Sequence, residues 1–149
     1  MNKEKGITII LTTHYMDEAD RLCDRVAIMD KGQIIAANTP DKLKEELGGD
    51  VITIKASGRE KLYAQLNALS WVNRVESHDG FLTINLPNAE KHVAEIVSLS
   101  ATNGIEIDSI SIHKPTLEDV FLHSTGRTMR EEEASSKEQM RMMHRMWRR

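Results

Sequence analysis

Apolar positions recur along this chain in two rhythms. Ile7, Ile9, Ile10 and Leu11 form a β-branched run suited to a central strand covered on both faces. It ends at Thr12-Thr13, His14 follows, and a helical spacing begins. Met16, Ala19 and Cys23 fall on one stripe, while Asp17, Glu18 and Asp20 are polar or favour the helix N-terminus. His14 is thus expected at the carboxyl end of a parallel strand, where open α/β sheets hold ligands. Residues 26–29 and 33–36 are short apolar runs around Asp30-Lys31-Gly32 and read as a hairpin. Thr39-Pro40 starts a helix, Leu43 and Leu47 share one of its faces, and Gly48-Gly49 stops it.

A different rhythm runs from 50 to 113. Residues 51–55 predict a strand, and Ser57-x-x-Glu60 predicts a capping box opening a helix with Leu62, Leu66 and Leu69 inward. Residues 71–77 predict a second strand, Asp79-Gly80 a hairpin turn, and Leu82, Ile84 and Leu86 an alternating return strand. Asn88 is expected to cap a helix burying Val93, Ile96 and Val97, which Asn103-Gly104 ends. Ile105, Ile107, Ile110 and Ile112 make a last strand whose parity changes at Asp108-Ser109, the mark of a bulge. The order β-α-β-β-α-β predicts a ferredoxin-like α+β unit. Thr116-x-x-Asp119 then caps a helix with Leu117, Val120 and Phe121 on its apolar stripe, read as packing without chemistry.

Composition narrows the picture. At 40% apolar and 29% charged, the chain has the make-up of ordinary globular material. No run approaches the length of a membrane span, and no apolar leader follows Met-Asn-Lys-Glu-Lys-Gly. The single cysteine, Cys23, excludes an internal disulfide and is read as a small buried apolar residue. Residues 1–126 carry 13 basic and 19 acidic side chains, which argues against a nucleic-acid partner. Residues 127–149 carry 7 basic and 4 acidic ones, and Met140, Met143 and Trp147 recur there beside Arg141, Arg145 and Arg148. That pattern is read as a charged flexible tail, with at most weak, salt-sensitive contact to an anionic membrane surface through 140–149. His78, His92, His113, His123 and His144 have no metal-ligand spacing, so no metal site is expected.

The segment 11–32, from Leu-Thr-Thr-His-Tyr-Met-Asp-Glu-Ala-Asp through Val-Ala-Ile-Met-Asp-Lys-Gly, resembles the switch-histidine segment of ABC transporter ATPases. It is nearest the drug- and polyketide-exporter (daunorubicin-resistance-like) subfamily. Residues 115–122, Pro-Thr-Leu-Glu-Asp-Val-Phe-Leu, resemble the segment that closes the folded part of the same proteins. The resemblance implies the C-terminal end of a P-loop ATPase core at 1–48, a ferredoxin-like accessory domain at 49–126, and a tail at 127–149. It implies that His14 is the catalytic and cofactor-binding residue, touching the γ-phosphate of ATP. A positioned imidazole there would stabilise charge moving onto the terminal phosphoryl group. ATP and Mg are implied as cofactors, with a membrane permease and a second ATPase subunit as partners at the cytoplasmic face of the cell membrane.

The chain has no Gly-x-x-x-x-Gly-Lys-Ser/Thr loop and no Leu-Ser-Gly-Gly-Gln signature. In the family these, and the acidic strand end that holds magnesium, lie ahead of the region matched. The chain by itself is therefore expected not to hydrolyse ATP. The run at 7–11, set apart from parallel neighbours, is expected to expose strand edges and to favour self-association. The alternative reading is a stand-alone regulatory or interaction module built on the ferredoxin-like unit.

Overall fold

A computed structural model describes residues 6–78 and 80–128. The 140–149 pattern, His144 and Asp79 of the expected turn lie outside the described residues. Helix α1 (Met16–Leu22) leads into strands β1 (Val26–Asp30) and β2 (Gln33–Asn38), then α2 (Pro40–Glu45). The strands β1 and β2 pair antiparallel through a two-residue turn in which Lys31 and Gly32 both take positive φ, 47° and 79°. This is the primed turn that matches the twist of a hairpin. Thr39 caps α2 by accepting the Lys42 N–H, with Pro40 in the first turn as its fixed φ favours.

Strand β3 (Asp50–Ala56), helix α3 (Arg59–Asn67), β4 (Arg74–His78), β5 (Phe81–Leu86), α4 (Val93–Thr102) and β6 (Ile107–His113) follow. The four strands form one mixed-connection sheet in the order β4-β5-β3-β6, every neighbouring pair antiparallel. One face carries Ile52, Ile54, Leu82, Ile84 and Leu86, fully buried against Leu62 and Leu66 of α3 and Ile96 of α4. Each such side chain contributes roughly 1.5–3 kcal/mol of burial. The register slips between Lys55 and Ala56, so Asp108 has no opposite number and the predicted bulge forms.

The last helix, α5 (Leu117–Thr125), opens with the full capping box: Thr116 accepts the Asp119 N–H and Asp119 accepts the Thr116 N–H. Its Leu117, Val120 and Phe121 do not join the sheet core. They pack with Ala19 of α1, Ile28 of β1 and Leu43 of α2 as a second core. The other side of α5 meets the opposite face of the sheet, where Leu122 and His123 share a shallow cleft with Val51, Glu76 and Thr83. The helix therefore lies across the expected boundary between 48 and 49.

Several local expectations are corrected. Residues 7–11 form no strand; no described strand lies beside them, and a strand exists only through its ladder. Ser57 does not cap α3. Gly58 occupies that position with φ 78°, and the Ser57 hydroxyl and N–H both turn to the Glu106 carbonyl. Asn88 likewise takes φ 54° and its side chain accepts no cap hydrogen bond; a single 3-10 turn (Ala89–Lys91) intervenes before α4. Val97 points out at 44% exposed, and Ser100 takes the buried place with its hydroxyl on the Ile96 carbonyl. The second strand begins at Arg74 rather than at 71: the Val72 N–H still bonds the Leu69 carbonyl in the turn after α3, and Trp71 stacks on His92.

Two positions at the start of β3 are set by close contacts. Gly49 has φ 116°, and a Cβ there would stand 2.5 Å from the Leu86 carbonyl oxygen, which is backbone and cannot swing aside. Gly49→Ala is expected to lower stability by about 1–3 kcal/mol in a urea titration. Gly104→Ala, at φ 66° with nothing within 4 Å, is expected to cost less. Equal losses at both sites would mean that backbone conformation alone, not the approach to Leu86, sets the requirement.

Asp50 is buried and accepts hydrogen bonds from Lys114 Nζ and from the Ala89 N–H, the latter at 2.9 Å. The Lys114 hydrogen bond first, and the Ala89 N–H second, hold its carboxyl below the ordinary carboxylate range. A carboxyl whose pKa is lower in the folded state adds stability above its unfolded pKa, and loses it as pH falls through the folded one. Asp50→Asn is therefore expected to lower the denaturant midpoint at pH 7. The gap to the parent is expected to narrow as pH is taken below about 4. A gap that stays constant with pH would leave the ion pair without a role in stability.

Candidate functional site

His14 sits on a bend one residue ahead of the Tyr15 cap of α1, with its ring exposed. The bend is shaped by Thr13. Its hydroxyl accepts the Tyr15 N–H at 3.0 Å and donates to Glu18 Oε2 at 3.4 Å, bridging the start of the helix. The His14 and Tyr15 rings lie 4.1 Å apart between centroids, tilted by 37°. Behind the bend, α1 is fixed at two points. Ala19 is buried in the second core, and Asp20 accepts two hydrogen bonds from Lys44 of α2, at 2.8 and 3.0 Å. The Asp20 hydrogen bond is the main cause that raises the Lys44 pKa. The exposed His14 thus immediately precedes a helix that is anchored.

Asp17 and Glu18 are exposed in the first turn of α1, where their charge favours the helix N-terminus. Cys23 is half-buried at the end of α1. Asp30 pairs with Arg127 beyond α5, tying the hairpin to the end of the described chain. Among the described residues no three histidine, cysteine, aspartate or glutamate side chains group as metal ligands.

The other described histidines have structural partners. His78 is 6% exposed at its side chain, with Nε2 3.0 Å from the Thr83 hydroxyl and the ring against Phe81. His92 stacks on Trp71 at 4.0 Å. His113 meets Asp119 at 3.0 Å, joining β6 to the first turn of α5. His123 meets Glu76 at 2.8 Å, and Arg74 reaches the same carboxylate at 2.7 Å. The carboxylates around the cleft between α5 and the sheet are therefore engaged in holding α5. Sequence reading missed these contacts, and no local pattern announces partners 47 or 64 residues apart, as in His123–Glu76 and Lys114–Asp50.

An exposed imidazole can donate one hydrogen bond to a phosphate oxygen arriving from solvent. A triphosphate with its magnesium needs more: a run of backbone N–H groups, a cation and carboxylate ligands. The residues of this chain fit one such contact. The described residues do not supply the cradle.

The 11–32 motif sits in a mixed α/β architecture with antiparallel sheets, consistent with a C-terminal domain of an ABC ATP-binding protein. Residues 39–125 match the family model described as "ATP-binding protein DrrA1-3-like, C-terminal domain", and the chain belongs to that family. It is 39% identical over 132 residues to the linearmycin resistance ATP-binding protein LnrL of Bacillus subtilis, covering 86% of this chain and 42% of the relative. It is 36% identical over 132 residues to the daunorubicin resistance ATP-binding protein DrrA3 of Streptomyces coeruleorubidus, covering 87% and 42%. It is 35% identical over 129 residues to a Nod factor export ATP-binding protein I of Burkholderia lata, covering 85% and 40%. The chain thus spans about two fifths of the length of the curated relatives it matches.

Proposed function

We propose that this chain is the C-terminal part of the ATP-binding subunit of an export transporter, and that His14 is its contact with the γ-phosphate of ATP. The observation that carries the proposal is the exposed imidazole at the head of an anchored helix, inside the 11–32 motif. Its neighbour Thr13 sets the bend, so the ring meets a ligand already positioned. Positioned donors lower a barrier because they need no reorganisation when charge develops. ATP and magnesium would be held chiefly by a phosphate loop supplied ahead of the matched region. His14 would add one hydrogen bond to the terminal phosphate. A lysine would act there as a mobile point charge that binds the ground state as well.

Residues 49–126 are read as a ferredoxin-like accessory domain. The β-α-β-β-α-β order and the antiparallel strand order β4-β5-β3-β6 support that reading. Residues 1–48 are read as the end of the ATPase core, with α5 as the strut that ties accessory domain to core. The whole subunit would pair with a second ATPase subunit and drive a membrane permease from the cytoplasmic face. No helix among the described residues is long and apolar enough to cross a membrane. The relatives' printed roles in linearmycin and daunorubicin resistance and Nod factor export make drug or Nod factor export the expected role of the whole subunit.

A chimera in which this chain replaces the matching region of LnrL tests the reading. His14→Ala in the chimera is expected to lower ATP turnover at least ~100-fold, the scale of losing a donor to a developing charge. ATP affinity is expected to change by less than about tenfold. This chain alone is expected to show no turnover. Equal losses of turnover and affinity would make His14 a structural residue, and turnover by the isolated chain that survives His14→Ala would overturn the proposal.

A further inference from the structure

The two edges of the four-stranded sheet are guarded differently. β4 carries Arg74, Glu76 and His78, and charge on an edge discourages pairing with another chain. β6 carries neither proline nor charge between Asp108 and His113; the segment reads Ser109-Ile110-Ser111-Ile112. Ser109 and Ser111 are exposed, and Ile112 is 40% exposed. On its inner side β6 pairs with β3, and no described strand occupies the other side. Such an edge is a template for a further strand.

We propose that β6 docks a second copy of this chain, the two strands pairing antiparallel about a two-fold axis at Ser111. A two-fold perpendicular to a continuous sheet keeps each side chain on its own face, so facing residues must share parity. Centred on Ser111, the register sets Ser111 against itself and Ile110 against Ile112 of the second copy. It sets Ser109 against His113, and Asp108 against Lys114. The exposed Ile112 gains an apolar neighbour on the face that holds the sheet core. Asp108, exposed at the bulge, gains an ammonium partner. The Lys114 side chain is 87% exposed while it reaches Asp50, and an ammonium has three donors to share. An axis moved to Ile110 would instead set Asp108 against Ile112. Charge and hydropathy thus both select the Ser111 register. The inference concerns assembly and stands apart from the nucleotide reading of His14.

Sedimentation of the full chain over a range of concentrations tests this. A reversible monomer–dimer equilibrium is expected. Ser111→Lys and Ser111→Glu each set like charges against each other at the axis, and each is expected to weaken the dimer at least ~10-fold. Mixing the two variants in equal amounts is expected to restore pairing. Ile10→Lys, at a residue 88% exposed in the run 7–11, is expected to leave the dimer unchanged. In the unaltered chain, amide exchange along β6 is expected to slow as concentration rises while that along β4 does not. A chain that stays monomeric, a dimer indifferent to both Ser111 variants, or β6 protection independent of concentration would overturn the proposal. So would loss of the dimer in Ile10→Lys, which would assign association to the 7–11 run.

Discussion

Helix α5 is the constraint that completes the second core and holds it to the sheet. Leu117, Val120 and Phe121 complete a cluster whose other members, Ala19, Ile28 and Leu43, come from α1, β1 and α2. None of those three short elements could close a core alone, because each offers one buried side chain to it. On its other side the same helix is held to the sheet by His123 on Glu76, and at its start by His113 on Asp119. A chain of contacts therefore runs from α1, which follows His14, to the four-stranded sheet. Arg127 on Asp30 draws the end of the described chain back to the hairpin. If the sheet and the helix of His14 respond to one another, α5 is the element through which they can do so.

A set of exposed apolar side chains lies outside both cores. Ile7, Ile9, Ile10 and Leu11 range from 48% to 88% exposed, and Met29, Ile34 and Ile35 of the hairpin are exposed as well. So many β-branched side chains left in water cost burial energy that an ordinary surface does not forgo. On the proposed reading they are the flank on which the preceding strands of the ATPase core would lie. That is also where a phosphate loop would have to come from to meet His14.

What could be read from the sequence divides by distance along the chain. Thr39-Pro40 and Thr116-x-x-Asp119 were legible because a cap is a contact across three residues, and both form as expected. The bulge at Asp108 was legible because it breaks a period of two. Ser57-x-x-Glu60 matched the same capping rule and failed, since the next residue, Gly58, can take the left-handed conformation and the Glu106 carbonyl competes for Ser57. Asn88 failed for the related reason that asparagine tolerates positive φ. The run 7–11 kept its composition but not its ladder, because pairing is a property of neighbours and not of the segment. His14 was singled out by its motif; its exposure and the Thr13 brace beside it are geometric facts the pattern alone does not carry. The pairs Asp50–Lys114 and Glu76–His123 had no signal at all, being set only once the sheet is assembled.

The central claim is that His14 senses the terminal phosphate of a nucleotide. The most direct measurement is the imidazole nitrogen resonance of His14 in an assembled subunit, recorded with magnesium and either ATP or ADP. A shift with ATP that ADP does not produce is the result the account predicts, because only ATP carries the phosphate concerned. A resonance that stays fixed, or that moves equally with both nucleotides, would contradict it.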